Sequence, residues 1–292
     1  VEQGGAYSTM TLGDYLLHKS YSNVFMDLYL IPMGAAIWSA TRSVMKNFPL
    51  QFFVRFFKNH GLLSVKNRPQ WYVIKGGSRS YLKPLTQPFA SSIRLNSPVL
   101  SIIRGEQGVD VLVKDGQTAQ FDQVVIACHS DQALAMLSDA SDIEQSILSA
   151  IPYQLNDVVL HTDTALLPRN RLTWSSWNYR ILKHNQGEAG DQTLPVLSYH
   201  MNILQSIESE DTFCVTLNKT DVINPEHIIG QYQYAHPVFS LEAIEAQQRW
   251  SEINGVNRTW FCGAYWANGF HEDGVSSALK VTEALGESLS GI

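Results

Sequence analysis

Residues 258–279 read RTWFCGAYWANGFHEDGVSSAL, and the fold turns on this stretch. Arg258–Phe261 predicts a strand that runs into Gly263 and Ala264. A loop from Tyr265 to Gly274 follows, and a helix is predicted to begin near Val275. Val275, Ala278, Leu279, Thr282, Leu285 and Leu289 fall on one helical face, and Asp273 is placed to cap the first turn. A helix N-terminus offers unpaired amides and a partial positive charge to an anionic ligand. A glycine at position 274 lets the backbone approach such a ligand closely. An ordinary strand–loop–helix connection has the same pattern, so both readings stand on spacing alone.

The next most legible stretch lies upstream. Val99–Ile103 and Val109–Val113 are predicted strands joined through Gly105 and Gly108. Asp115-Gly116 signals a hairpin, because glycine tolerates the positive φ of a type I′ turn. Thr118–Phe121 then leads into Val124-Val-Ile-Ala, a continuous apolar run expected for a strand buried on both faces, with a helix over Asp131–Leu137 after it. A β-meander feeding a central strand of a covered sheet is an α/β signature.

The flanks are read more coarsely. The first 70 residues are predicted mainly helical, with Thr11 as an N-cap before Leu12, Tyr15 and Leu16, and with Pro32, Pro49 and Gly61 as punctuation. Their Phe, Met, Tyr and Trp content fits an aromatic core or the lining for a bulky apolar substrate. Trp71–Ile74 is expected as a strand before Gly76-Gly77, Ser80–Phe89 as a helix with Pro84 inside it, and Ile93–Leu95 as a short strand. Runs beginning at Val158, Val196 and Phe213 predict a mixed sheet, and Ser240–Arg249 a short helix.

Composition narrows the class. The chain has 292 residues, a net charge of -6, 45% hydrophobic and 16% charged residues, which excludes a disordered chain. With 27 acids against 21 bases, no general nucleic-acid surface is expected. No run approaches the roughly 20 apolar residues of a membrane-spanning helix. Cys128, Cys214 and Cys262 are scattered with no CxxC, which fits a reduced, cytoplasmic enzyme without a structural zinc. There is no HExxH, GxSxG or P-loop, and no histidine pair at metal-ligand spacing. No catalytic residue is assigned.

The run Phe261–Leu279 closely resembles the terminal flavin motif of the flavin-containing amine oxidase superfamily, and its GFHEDG spelling resembles a bacterial branch of predicted NAD/FAD-binding proteins. Asn96–Ile103, the Asp115-Gly116 turn and Asp122–Cys128 resemble a second passage of the same superfamily. The double glycine Gly76-Gly77 is a third, weaker likeness. The resemblance implies a partial FAD-binding Rossmann-like domain interleaved with a mixed-sheet and helical substrate domain. The boundaries read from it are 1–70 and 141–255 for the substrate domain, and 71–140 and 256–292 for the cofactor domain.

By position, the resemblance places the Val99 backbone at the adenine end of FAD and Gly263-Ala264 near the ribityl and phosphate part. It sets the amides of Gly274, Val275 and Ser276 against the N1–C2=O edge of the flavin. Phe270 and His271 come beside the ring, while Ala278 stands where the branch often has glycine. Trp174, Trp177, Tyr265 and Trp266 are candidates to line a substrate cavity.

One element of the family pattern is missing. No GxGxxG occurs in these residues, and no acidic partner for the ribose can be placed. The chain is therefore expected to be a C-terminal portion, itself weak or inactive in FAD binding and catalysis. The implied activity is hydride transfer from a substrate C–H to flavin, on a small but bulky apolar, lipid-like substrate. A true, peroxide-producing amine oxidase and a non-catalytic α/β protein that binds a partner are the alternatives.

Overall fold

The computed structural model describes residues 7, 9–64, 66–67, 69–181 and 194–287. Leu289, read as part of the last helix face, lies outside them. The chain divides into two compact units, one of Val1–Ala90 with Gln154–His236, the other of Ser91–Tyr153 with Pro237–Ile292. The crossings fall near residues 90, 153 and 236, against 70, 140 and 255 read from the sequence. The helices Asp142–Ser149 and Leu241–Gln248 pack on each other within the second unit.

The first unit starts from a capped helix. The Thr11 hydroxyl accepts the Asp14 amide at 3.2 Å and begins Leu12–His18. A wide π turn, Met26–Leu30, precedes Ile31–Trp38, whose Pro32 has no amide to give the ladder. Phe52, Phe53, Phe56 and Phe57 bury one face of Leu50–Asn59 around Trp38 and Phe48, whose rings lie 4.5 Å apart. The aromatic wealth of this region is thus largely core.

The same unit holds a five-stranded sheet in the order β6-β7-β8-β5-β9. The strands are β5 (Tyr153–His161), β6 (Trp177–Arg180), β7 (Val196–His200), β8 (Cys214–Leu217) and β9 (Ile228–Pro237). Pairs β6–β7, β7–β8 and β5–β8 are antiparallel. A polar row crosses its interior. His161 Nε2 meets Thr216 Oγ1 at 2.8 Å, and Thr216 Oγ1 meets Ser198 Oγ at 2.7 Å, with all three residues buried.

In the second unit β1 (Val99–Gly105), β2 (Gly108–Val113) and β3 (Thr118–Phe121) form the antiparallel meander. The β2–β3 link is a four-residue loop with only Gly116 at positive φ, rather than a two-residue type I′ turn. The Asp115 carboxylate accepts the Gln117 amide and shapes that loop. Strand β4 (Val124–Ile126) pairs in parallel with β10 (Thr259–Phe261). Ile102, Val109, Ile126, Ile147, Leu148 and Phe261 form the core beneath them.

Three local expectations change. Trp71–Ile74 and Ile93–Leu95 are not strands, because among the described residues neither has a ladder partner to satisfy its backbone. The Gly77 amide instead turns back to the Ile74 carbonyl at 2.8 Å. Val125 is 46% exposed, so β4 is buried on one face only, its sheet being two strands wide. The helix expected over Ser80–Phe89 spans Arg79–Thr86 and tightens into a 3-10 turn, Gln87–Ser92, after Pro84.

Candidate flavin-binding site

The site is built where β10 ends. The Phe261 amide is held by the buried Asn254 carboxamide at 2.6 Å, and the Cys262 amide by the Ile126 carbonyl at 3.1 Å. Gly263 follows at φ +155, and a Cβ there would stand 2.6 Å from the Tyr265 ring. Only glycine fits both the conformation and the space. Ala264–Trp266 then makes one 3-10 turn. The buried Tyr265 ring packs on Ile151 and Ala243.

The last helix spans His271–Ala284, starting four residues before the expected Val275. Asp273 explains the shift: its carboxylate accepts the Phe270 amide at 2.9 Å from the third helical position, which fixes the first turn. It also lies 3.4 Å from the Asn268 amide nitrogen. The Gly274 amide is bonded to the Phe270 carbonyl at 3.2 Å. The amides without intrahelical partners are therefore those of His271, Glu272 and Asp273, while Gly274, Val275 and Ser276 lie within the helix.

The buried stripe of this helix also differs from the one read by spacing. Ser277 and Val281 are buried and Ala278 packs beside them, whereas Val275, Thr282 and Leu285 are exposed. Bulky residues drew the sequence reading. The face that packs is made of small ones, which allow close approach to the strand. Ser277 Oγ accepts the Gly263 amide at 2.8 Å and donates to the Gly274 carbonyl at 2.9 Å. Sequence reasoning singled out its neighbour Ser276, and only the buried register distinguishes the two.

The structure thus brings Gly263, Ala264, Tyr265, Trp266, Phe270, His271 and Gly274 into one strand–turn–helix. Val99 begins β1 in the same unit, half-buried against that unit's core. Trp174 and Trp177 belong to the other unit. The Trp174 indole donates to the Pro168 carbonyl at 2.7 Å and packs on His200, and Trp177 meets Tyr199 edge-on at 5.4 Å.

Electrostatics agree with an apolar setting. Burial pushes the Tyr265 hydroxyl well above its usual range and raises the Cys128 and Cys262 thiols. At both cysteines burial thus disfavours the thiolate. Apart from each other, Tyr265 Oη and Trp266 Nε1 are buried without a hydrogen-bond partner. These orphaned polar atoms, with the first-turn amides of His271–Asp273, are chemically suited to the polar edge of a flavin. Among the described residues no cluster of His, Cys, Asp or Glu is placed to hold a metal ion. None of their helices is long and apolar enough to cross a membrane.

Comparison with known proteins agrees with this layout. No curated protein sequence matches the chain. Its fold is similar to that of a fatty acid isomerase from P. acnes that produces CLA, at 14% identity over 94% of this chain and 72% of that one, with a TM-score of 0.58. It is also similar to cyclohexylamine oxidase from Brevibacterium oxydans IH-35A, at 13% identity over 97% and 69%, with a TM-score of 0.60. Reduced UDP-galactopyranose mutase shares the fold at 11% identity over 97% and 70%, with a TM-score of 0.61. The profile described as flavin containing amine oxidoreductase matches residues 36–285, and with that match the chain belongs to this family.

Proposed function

We propose that the chain supplies the flavin-facing strand–turn–helix and the substrate sheet of an FAD-dependent oxidoreductase. The observation that carries the reading is the Gly263–Ser277–Gly274 connection, which ties the strand end to the His271–Ala284 helix, whose first-turn amides have no carbonyl partner within the helix. FAD, when bound, supplies the acceptor for a hydride equivalent from a substrate C–H bond. The protein's part is to hold that acceptor, stabilise negative charge at its N1 side through the helix N-terminus, and exclude water. In this reading Gly263, Ala264, Phe270 and His271 lie along the cofactor, with Val99 towards its adenine end. Each unit is proposed to offer aromatic surface for substrate by itself, Trp174 and Trp177 in the sheet unit and Tyr265 and Trp266 in the cofactor unit.

The proposed substrate is bulky, apolar and lipid-like. Exposed Leu17, Val24 and Leu28 give the helical region apolar surface beyond its core, which supports this class. A small amine is the second reading, favoured by similarity to proteins named for amine oxidation. Incubation with FAD of a longer form that carries a GxGxxG segment, followed by absorption spectroscopy, tests the cofactor, and a protein that stays colourless and takes up none overturns it. With flavin in place, turnover of unsaturated lipid without peroxide from amines is expected. The reverse result selects the amine reading.

A further inference from the structure

The turn that follows β10 is held from behind by a residue far from the motif. Gln247, on the helix Leu241–Gln248, donates through Nε2 to the Tyr265 carbonyl at 2.8 Å and to the Ala267 carbonyl at 2.7 Å. Its helix is itself fixed, since Ser240 Oγ accepts the Ala243 amide at 3.2 Å and Ala243 is packed against the Tyr265 ring. The turn's amides are also used, with Trp266 bonded to the Gly263 carbonyl and Ala267 and Gly269 to that of Ala264. With these groups occupied, the turn has little freedom to rotate. The polar atoms left over are the Tyr265 hydroxyl and the Trp266 indole N–H, buried on consecutive residues.

We infer that Gln247 and Ser277 are positioning residues that fix the 263–274 connection in a flavin-receptive shape before any ligand arrives. Gln247 clamps the turn by two carbonyls, and Ser277 ties the strand end to the helix start. Neither hydrogen bond requires a cofactor, so the shape is preorganised and the ordering cost at binding is reduced. The inference rests on the flavin reading for its purpose, but not for its geometry. A carboxamide Nε2 with two donors is chemically matched to two carbonyls, and a carboxylate in its place would repel both.

The test compares the 292-residue chain with Gln247→Met, Gln247→Glu, Gln247→Lys and Ser277→Ala. Amide hydrogen exchange is followed across the whole second unit, alongside the urea midpoint. Met and Glu are expected to speed exchange at residues 263–274 about tenfold or more, with the Asp142–Ser149 helix and β2 unchanged, and Lys, which restores donors, to recover much of the protection. Ser277→Ala is expected to loosen the same segment. Uniform acceleration across the unit, or no local change, overturns the inference. FAD titration by fluorescence is the second arm. Should the unmodified chain bind FAD, about tenfold weaker binding by the Met variant is expected, and equal binding also overturns the inference. Should the unmodified chain bind none, as expected where GxGxxG is missing, the flavin reading is decided on the longer form and the exchange result alone decides the positioning role.

Discussion

Arg104 of β1 donates two hydrogen bonds to the Glu144 carboxylate, at 2.5 and 2.9 Å, with both side chains almost wholly removed from water. The same guanidinium reaches Asp139 at 2.8 Å, and Ser141 donates to Glu144 through both its amide and its hydroxyl. Burial alone would raise the Glu144 pKa, but Arg104 and Ser141 outweigh it and hold the carboxyl below its ordinary value. The pair fastens the meander to the Asp142–Ser149 helix. Removing one partner strands the other charge, so Arg104→Met is expected to cost about 3–5 kcal/mol in urea unfolding. Replacing both residues with apolar ones should cost clearly less than the two single changes added together. Additive losses would show the charges to be independent.

Tyr265→Phe is expected to stabilise the chain or leave it unchanged, within about 1 kcal/mol. The hydroxyl is buried with no neighbour to bond but the adjacent Trp266 indole, so folding strips it of water for at most one weak hydrogen bond in return. Thermal unfolding without added flavin reads this directly. A loss well above 1 kcal/mol would reveal a partner for that hydroxyl.

Gly263→Ala acts in the opposite direction. The added Cβ meets the Tyr265 ring, which is locked between Ile151 and Ala243 and has nowhere to swing. Together with the positive φ, this is expected to cost about 1–3 kcal/mol and to loosen the following turn. Gly116→Ala is the control, since a Cβ there meets nothing within 4 Å although φ is likewise positive. It should show the conformational part of the penalty alone.

His161 gives a pH dependence. Burial lowers its pKa, against the opposing pull of Asp163 and with a further push from His227. Its Nε2 is engaged by Thr216, and its buried ring has the Asp163 backbone as a further neighbour, whose pull on the pKa is outweighed by burial. The folded chain therefore takes up this proton less readily than the unfolded one. The stabilisation is whole above the unfolded value of about 6.5 and is lost as pH falls through the lowered folded value. Urea midpoints measured from about pH 7.5 down to about pH 5 should decline, and His161→Gln should flatten part of that slope. The rest belongs in part to His200, whose pKa burial also lowers. A slope untouched by the substitution would clear His161.

Much of this was legible in the residues. The apolar alternation of Val109–Val113 and the glycines around it specify the meander, because strand pairing follows local period and turn chemistry. Thr11 and Ser240 mark helix starts through hydroxyls that need only a local amide. Trp71–Ile74 failed as a strand since a ladder depends on a partner that no local pattern reveals. Gln247 was invisible for a related reason: it serves a turn eighteen positions downstream, and a half-buried glutamine on a helix carries no spacing signal. Ser277 was missed by one residue because register, unlike composition, is set by which face finds a neighbour.

The threefold crossing of the chain between its two units has a consequence for biosynthesis. Within this chain the first unit draws on nothing beyond His236, yet the meander made earlier, from Ser91 to Tyr153, packs in one unit with Pro237 onward. Among the described residues, β4 in particular has no parallel neighbour until Thr259–Phe261 is synthesised. Its apolar edge is therefore held open through the making of an entire intervening sheet. The nascent chain is exposed to mispairing for that interval, and chaperone dependence should track the arrival of the final strand.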